Sequence, residues 1–409
     1  MHIAIAGPIA TADIAPYLHR PEAPLPRGYE GAPLMGVLIG ELLRAGHRVS
    51  AFTLSSDLPL QPDHRVIARG HHLRMHYLPM RPKAWPFNGR RLGRIVDLYA
   101  FERRALTQAI RRASPDVVHA HWAYEFACAA VGSGLPHLVT SHDAPFEVAR
   151  FHKGFILGGY RWLRAGMAWW ALHRAQRVST VSPYMLKPIQ ALSRAPVTVL
   201  PNPVSDRAFG LHRKAEPGRQ RVLMVCNGWD ARKNGEAGLR AFAWLSERLP
   251  AAELVTYGWG FGPGEAAERW WQQQGLRGRV QFAGAAPHAA VLQAMTDADV
   301  LLHPSLEESF GVVLAEAMAI GLPVIAGKDS GAVPWVVGDH GVLVDVRDPL
   351  AMCEALAALL QRLQQAPAPM SEQLQNARHS MQQRFSAEAV ALAYLREYEA
   401  AMRDRPTRR

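Results

Sequence analysis

Cysteine is scarce. The 409 residues hold three, Cys128, Cys226 and Cys353, far apart in the chain. They suggest neither a disulfide framework nor a thiolate ligand pair, which fits a reducing compartment. Long apolar runs are also missing. With no uncharged stretch of about 18 apolar residues, no membrane-crossing helix is expected. There is no repeat of solenoid period and no low-complexity tract. The opening MHIAIAG has no basic lead and no long apolar core, so it reads as a first buried strand rather than a secretory leader. Acid is missing too, in particular places. Up to Pro203 there are 24 Lys and Arg against 12 Asp and Glu; from Val204 onward there are 22 against 23. Between His64 and Val96 lie Arg65, Arg69, Arg74, Arg81, Lys83, Arg90, Arg91 and Arg94 with no carboxylate. Between Val148 and Ser205 there are again eight cations and no acid, interspersed with Phe151, Phe155, Tyr160, Trp162, Trp169 and Trp170. Solvated faces of an Arg-rich chain would explain this, and so would attraction to an anionic membrane surface or an anionic lipid-linked substrate. Nucleic acid would need a recognition motif, and none accompanies the charge. The expected location is the cytoplasm, with the inner face of its membrane as the surface to be visited.

The length exceeds what one compact core fills, so two domains are expected. Short apolar runs alternate with helical periodicity, as in βαβ units. The first series of strands is HIAIAG (2–7), RVSAFTL (48–54), LRMHYLP (73–79), DVVHAH (116–121), HLVTSH (137–142) and RVSTVS (177–182). Pro33 suits the first position of a helix that Gly46 stops, and the Pro-rich loop from Pro16 to Pro33 is long enough to suggest a function. The second series is RVLMVCNG (221–228), ELVTYG (253–258), VQFAG (280–284), DVLLHPS (299–305) and PVIAG (323–327). VTVLPNPVSD (197–206) reads as the linker. Two doubly wound α/β domains of the Rossmann-like kind follow, 1–203 and 204–385, facing across a cleft at their strand C-termini. A last helix over 386–409, with Val390, Leu392, Ala393, Leu395 and Tyr398 on a shared stripe, is expected to pack back onto the first domain.

Residues just after strands are therefore the candidates for chemistry. In PSLEESFGVVLAEAMAIGLPVIAG (304–327), Glu308 and Glu316 have seven residues between them. Gly311 would let a ligand approach the backbone at a helix start, whose free amides favour an anion such as a diphosphate. Glu316 then lies roughly 7.5 Å further along the axis, the scale of a diphosphate and part of a ribose. An acidic first turn that simply stabilises the helix dipole is the alternative.

This segment resembles the Glu-x7-Glu signature of the retaining, GT-B-fold glycosyltransferases of family 4. The Pro-Ser, the Phe-Gly after the first Glu, Glu-Ala-Met-Ala around Glu316 and the following Gly-Leu-Pro-Val all stand as in that family. The resemblance runs over most of the chain. It implies that Glu308 touches the transferred sugar, that Glu316 takes the nucleotide ribose, and that the backbone around Ser309, Phe310 and Gly311 meets the donor. Ser309 stands where Gly is commoner. The family's Gly-Arg and later Lys-Gly are altered here: NGWDARKNG (227–235) has Trp229 for the Arg, a shorter spacing, and Asn234 after the Lys. Arg232 and Lys233 are the candidate diphosphate contacts, or else two exposed cations beside a helix.

HAHWAYE (119–125) and TSHD (140–143) each end a strand with a histidine. Alternation puts His119 and His121 on one face, as core support or as site residues. Family members carry a His at the positions of His121 and His142, near sugar and acceptor. A metal held with Asp143 is the other reading, although the family belongs to a metal-independent class. Gly28 and Gly31 precede a helix that would face the donor phosphates, or they simply open that helix. GWGFGPG (258–264) has the wrong spacing for a dinucleotide fingerprint and reads as a flexible loop lining the base pocket. Gly284 and the residues after it would offer backbone to the base.

The function expected from the resemblance is retaining hexosyl transfer from a nucleotide-diphosphate sugar to a glycan or polyprenyl-diphosphate-linked acceptor, with no added cofactor. Cell-surface polysaccharide synthesis is its expected setting. A soluble synthase of the sucrose or trehalose-phosphate kind, or a non-catalytic membrane-associated scaffold, would share the fold. A 2-epimerase of the same fold is the remaining rival.

Overall fold

The computed structural model describes residues 1–61, 64–82, 93–151, 155–214, 216 and 218–404. Lys83, Arg90, Arg91 and Lys153 of the basic windows lie outside them, as does the side chain of Phe155. The chain divides into two compact units, Met1–Pro203 with Ala387–Arg409, and Val204–Ser386.

The first unit is built on an eight-stranded sheet. Its strands are β1 (His2–Ala6), β2 (Arg48–Ser55), β3 (Val66–Arg69), β4 (Leu73–Pro79), β5 (Val117–His121), β6 (His137–Ser141), β7 (Arg177–Thr180) and β8 (Val197–Val199). The order is β3-β4-β2-β1-β5-β6-β7-β8, and all pairs are parallel except β3 with β4. β1, β5 and β6 are buried throughout, as strands covered by helices on both faces must be. The chain builds outward from β1 through β2 and β4, then returns to the other side of β1 with β5. The switch point therefore lies between β1 and β5.

The second unit has six parallel strands: β9 (Arg221–Val225), β10 (Glu253–Tyr257), β11 (Arg279–Gly284), β12 (Val300–His303), β13 (Val324–Gly327) and β14 (Val342–Val344). Their order, β11-β10-β9-β12-β13-β14, puts the switch point between β9 and β12. In open parallel sheets ligands bind outside the strand C-termini at such a point.

Three strands escape the sequence pattern. β3 and β14 are short, and β8 lies inside the stretch read as a linker. Its valines add an edge strand to the first sheet, and the crossing to the second unit comes only at Pro203. Pro33 caps its helix, Leu34–Arg44, rather than starting it. The Pro-rich segment before it is tied down by an antiparallel bridge between Ala10 and Gly28 and by backbone bonds from Thr11 to Arg27 and from Tyr29 to Ile9.

The last helix, Ala387–Arg403, lies on the first unit. It buries Ala387, Val390, Ala391, Tyr394, Tyr398 and Ala401. Leu392, expected on the apolar stripe, is 51% exposed, and Tyr394 takes its place. Tyr394 and Tyr398 pack against His119, and the Tyr398 hydroxyl sits 2.7 Å from His119 Nδ1. Tyr398→Phe would strand that buried nitrogen, which costs about 2 kcal/mol. Urea denaturation followed by tryptophan fluorescence should show the loss in the transition of the first unit. An unchanged midpoint would mean that the contact carries no stability.

Candidate active site

In the second unit the loops after β9 and β12 flank the switch point, and they are joined. Leu306 N–H donates to Arg232 O at 2.8 Å. Asn234, in the left-handed region at φ 52°, sends its amide nitrogen to Pro304 O (3.0 Å) and Val346 O (2.7 Å). This juncture sets Lys233 Nζ 2.6 Å from Glu308 Oε1, with His303 Nε2 3.2 Å from the same oxygen. Arg232 Nη1 lies 3.3 Å from Glu307 Oε2. Burial alone would raise the Glu308 carboxyl. Lys233, the His303 hydrogen bond and Arg232 outweigh it and hold the group well below the usual carboxylate range, so Glu308 is ionised at neutral pH. Glu307 goes the other way, since burial raises it more than Arg232 lowers it. Cys226 beneath this site is inert, its thiol pushed by burial to about 12.

Gly311, at φ 87°, caps the helix Val312–Ile320 in a conformation that other residues adopt only under strain. Phe310 turns its ring away, into an edge-to-face group with Trp335 and Phe385, so only its backbone is left for a ligand. Ser309 lies between it and Glu308. Glu316 is buried on that helix and meets His288 Nε2 at 2.7 Å. His288, His303 and Glu307 were not singled out from the sequence. Each is a partner brought in by the fold, with no motif of its own.

The 258–264 loop is firmly stitched rather than flexible. Glu265 Oε2 accepts from the N–H groups of Gly260 and Gly262 at 2.9 and 2.7 Å. Gly284 belongs to the same stitching, its carbonyl accepting from Gly258 and its N–H donating to Phe261 O. Its backbone polar groups are thus engaged within the protein, and Ala285 and Ala286 follow as the next residues toward solvent.

In the first unit, His121 Nδ1 and His142 Nε2 are 2.8 Å apart, while His119 links Tyr398 to Thr140. All three histidines are buried, so desolvation comes first among the causes that lower them, His142 to about 3 and the other two well below their usual value. They are neutral imidazoles. Trp122, at φ 64° and stacked 4.1 Å from His142, is a strained residue that sequence reasoning missed. Gly28 is the bridge partner of Ala10, and a Cβ there would stand 2.4 Å from Ile9 O. Gly31, at φ 110°, has open space around it. Among the described residues no group of three or more His, Cys, Asp or Glu is arranged to hold a metal ion.

The chain resembles known proteins along most of its length. The family model described as Glycosyltransferase Family 4 matches residues 36–207, and that described as Glycosyl transferases group 1 matches residues 219–362. A D-inositol 3-phosphate glycosyltransferase of Corynebacterium diphtheriae is 37% identical over 38% of this chain and 37% of its own length. A 2-deoxystreptamine N-acetyl-D-glucosaminyltransferase of Streptomyces fradiae is 31% identical over 59% of this chain and 62% of its own length. The match thus spans less than two thirds of either relative. Sucrose-phosphate synthase of Thermosynechococcus elongatus superposes with a TM-score of 0.72 at 21% identity, covering 98% of both chains. Anabaena HepE in complex with UDP and glucose gives 0.67 at 18% identity, over 98% of this chain and all of its own.

The buried histidines predict a pH dependence. Each binds a proton more readily when unfolded than when folded. Stability is therefore full above the unfolded value of about 6.5 and falls as pH drops toward the folded one, by up to about 1.4 kcal/mol per pH unit for each histidine. Urea midpoints taken from pH 7 to pH 5 should fall, and His142→Gln should flatten the slope. A slope unchanged in His142→Gln would contradict the neutral, buried state. Two parallel-sheet α/β units, an acidic pair around a helix start, and two successive matching family models together place this chain in the family 4 glycosyltransferases of GT-B fold.

Proposed function

We propose that the protein transfers a hexosyl group from a nucleoside diphosphate sugar to a glycan or lipid-linked acceptor, with retention at the anomeric carbon, in cell-surface polysaccharide synthesis. The observation that carries this reading is the ionised Glu308 beside Lys233 and Arg232, next to the helix start at Gly311. A carboxylate that only accepts hydrogen bonds suits sugar hydroxyls. Two cations and free helix amides suit a diphosphate. That the similar fold of HepE was solved with UDP and glucose supports the donor class.

In this reading the bond between the anomeric carbon and the diphosphate oxygen breaks through an oxocarbenium-like state. Arg232, Lys233 and the amides around Ser309, Phe310 and Gly311 stabilise the charge gathering on the leaving phosphate. The acceptor hydroxyl attacks from the same face, and its proton passes to the departing phosphate oxygen. Glu316 takes the ribose hydroxyls and gives up His288 to do so. His121 and His142 are assigned to sugar and acceptor hydroxyls, which a neutral imidazole can meet as donor or acceptor. Neutralisation of the diphosphate is assigned to the two cations, with no added cofactor. Association with an anionic membrane surface is supported by the exposed Trp162, Leu163 and Trp169 on the helix Phe155–Arg174, set among the basic residues of the first half. Among the described residues no helix is long and apolar enough to cross a membrane.

The test is a melting-temperature panel with UDP, GDP, ADP and their sugar conjugates. One nucleotide series should stabilise the wild type, and Glu316→Ala should lose the effect. With that donor and a cell-envelope lipid extract, transfer should be read by mass spectrometry and the product anomer by NMR. Lys233→Met should slow transfer roughly 10²–10³-fold. No stabilisation by any series at millimolar ligand would defeat the donor-site assignment, and an inverted product would defeat retention.

A further inference from the structure

In the loop after β12 two carboxylates follow one another, Glu307 and Glu308, and the fold serves them unequally. Glu308 has Lys233 Nζ at 2.6 Å and His303 Nε2 at 3.2 Å, both on one oxygen. Glu307 is only 5% exposed and has a single contact, Arg232 Nη1 at 3.3 Å from its Oε2. Its Oε1 is buried with no hydrogen-bond partner among the described residues. A buried carboxylate ordinarily gathers several donors, and one left short of them is costly in its charged form.

The same arginine is wanted elsewhere. The Arg232 backbone is fixed beside Glu307 in space, since Leu306 N–H donates to its carbonyl at 2.8 Å. A diphosphate at the helix start near Gly311 would compete with Glu307 for the guanidinium. Once Arg232 turns to it, Glu307 is buried next to the ionised Glu308, and Lys233 is already engaged by that neighbour. A second bare carboxylate there is repelled by Glu308 and by the incoming phosphates, so the neutral acid is the form that fits. Glu307 already leans that way: burial and Glu308 push its carboxyl up, against the pull of Arg232 and Lys233. Asp230 acts on Arg232 from the same loop, and His303 faces Glu308. Lys328, Asp329, Arg347 and Asp348, in the loops after β13 and β14, are exposed.

We propose that Glu307 is a positioning residue that works by protonation: as a carboxylate it holds Arg232 before the donor arrives, and it takes up a proton from solvent when Arg232 turns to the donor diphosphate. The proposal rests on the donor-site reading and adds a proton that the transfer itself does not use. Binding and protonation are then linked. Glu307 has one proton affinity with Arg232 beside it and a higher one without. Donor affinity falls as pH rises through the interval between the two, by up to about tenfold per pH unit, and is level outside it. A carboxylate that only shapes the loop creates no such link.

The test is calorimetric titration of the full chain with UDP-glucose, GDP-mannose and ADP-glucose at pH 5.5, 6.5 and 7.5. Buffers of different ionisation enthalpy count the protons exchanged on binding, and no group of these ligands titrates in that range. The donor that binds should bring uptake of up to about one proton. Glu307→Gln should abolish the uptake and level the affinity across pH. At pH 7.5 it should bind at least as tightly as the wild type, because no anion then competes for Arg232. A melting curve checks that the variant folds, and the wild-type count needs no variant. Uptake below roughly a fifth of a proton at all three pH values would overturn the proposal. Uptake that persists in Glu307→Gln would also overturn it and move the proton to His303. Affinity lost by the same factor at every pH would make Glu307 merely structural. If none of the three ligands binds the wild type, the donor-site reading fails and takes this proposal with it. Binding without uptake leaves that reading standing and sinks this proposal alone.

Discussion

The candidate donor site depends on the tie between two loops that are far apart in sequence. The Asn234 amide reaches two carbonyls, one after β12 and one after β14, while Leu306 donates back to Arg232. None of these bonds involves a charge, yet together they decide which charges meet. Lys233 can lie 2.6 Å from Glu308 only because its own backbone is pinned to the neighbouring loop. Asn tolerates the left-handed region better than any other residue with a side chain long enough to bridge. This gives a physical reason for Asn after Lys233, one of the positions where the chain departs from the family pattern.

The two units handle burial of titratable groups in opposite ways. Glu308 keeps its charge in a largely buried place because a lysine, a histidine and an arginine converge on it. For His121 at the end of β5 and His142 just after β6, desolvation dominates and leaves them neutral. A buried charge with partners is a fixed electrostatic element, suited to a state in which charge develops. A neutral imidazole pair costs nothing in desolvated charge and offers one donor and one acceptor direction, suited to orienting hydroxyls. Both arrangements stand directly after parallel strands, where the switch point of each sheet leaves room.

Most of this was legible where chemistry and local pattern coincide. Eleven of the strands announce themselves as apolar runs, and the Glu308–Glu316 spacing carries its own geometry. What escaped is non-local. β8 looks like linker because three residues between turn signals are too few to show a period. Leu392 belongs to the apolar set by composition, but a 3.6-residue turn points Tyr394 inward instead. The glycines of 258–264 read as freedom, since nothing local shows that Glu265 will gather their amides. The same holds for His288 and His303, ordinary residues until the sheet order brings them to Glu316 and Glu308.

The arginine excess of the first half shows the limit most clearly. Composition records the charge but cannot divide it into exposed and buried shares. The structure does so through aromatic contacts: Arg94 and Arg164 are held over tyrosines drawn from segments as distant as the loop before Ala100 and the turn after β5. Solvated arginines need no such support, since water satisfies all five donors. A guanidinium laid against a ring has given up part of that hydration, and protein acceptors stand in for the water: Arg94 donates to Arg81 O, and Arg164 lies 3.6 Å from Glu125. The arginines that shape the first unit are therefore not only the ones that make the chain basic on its surface, but also the few that the fold holds against rings.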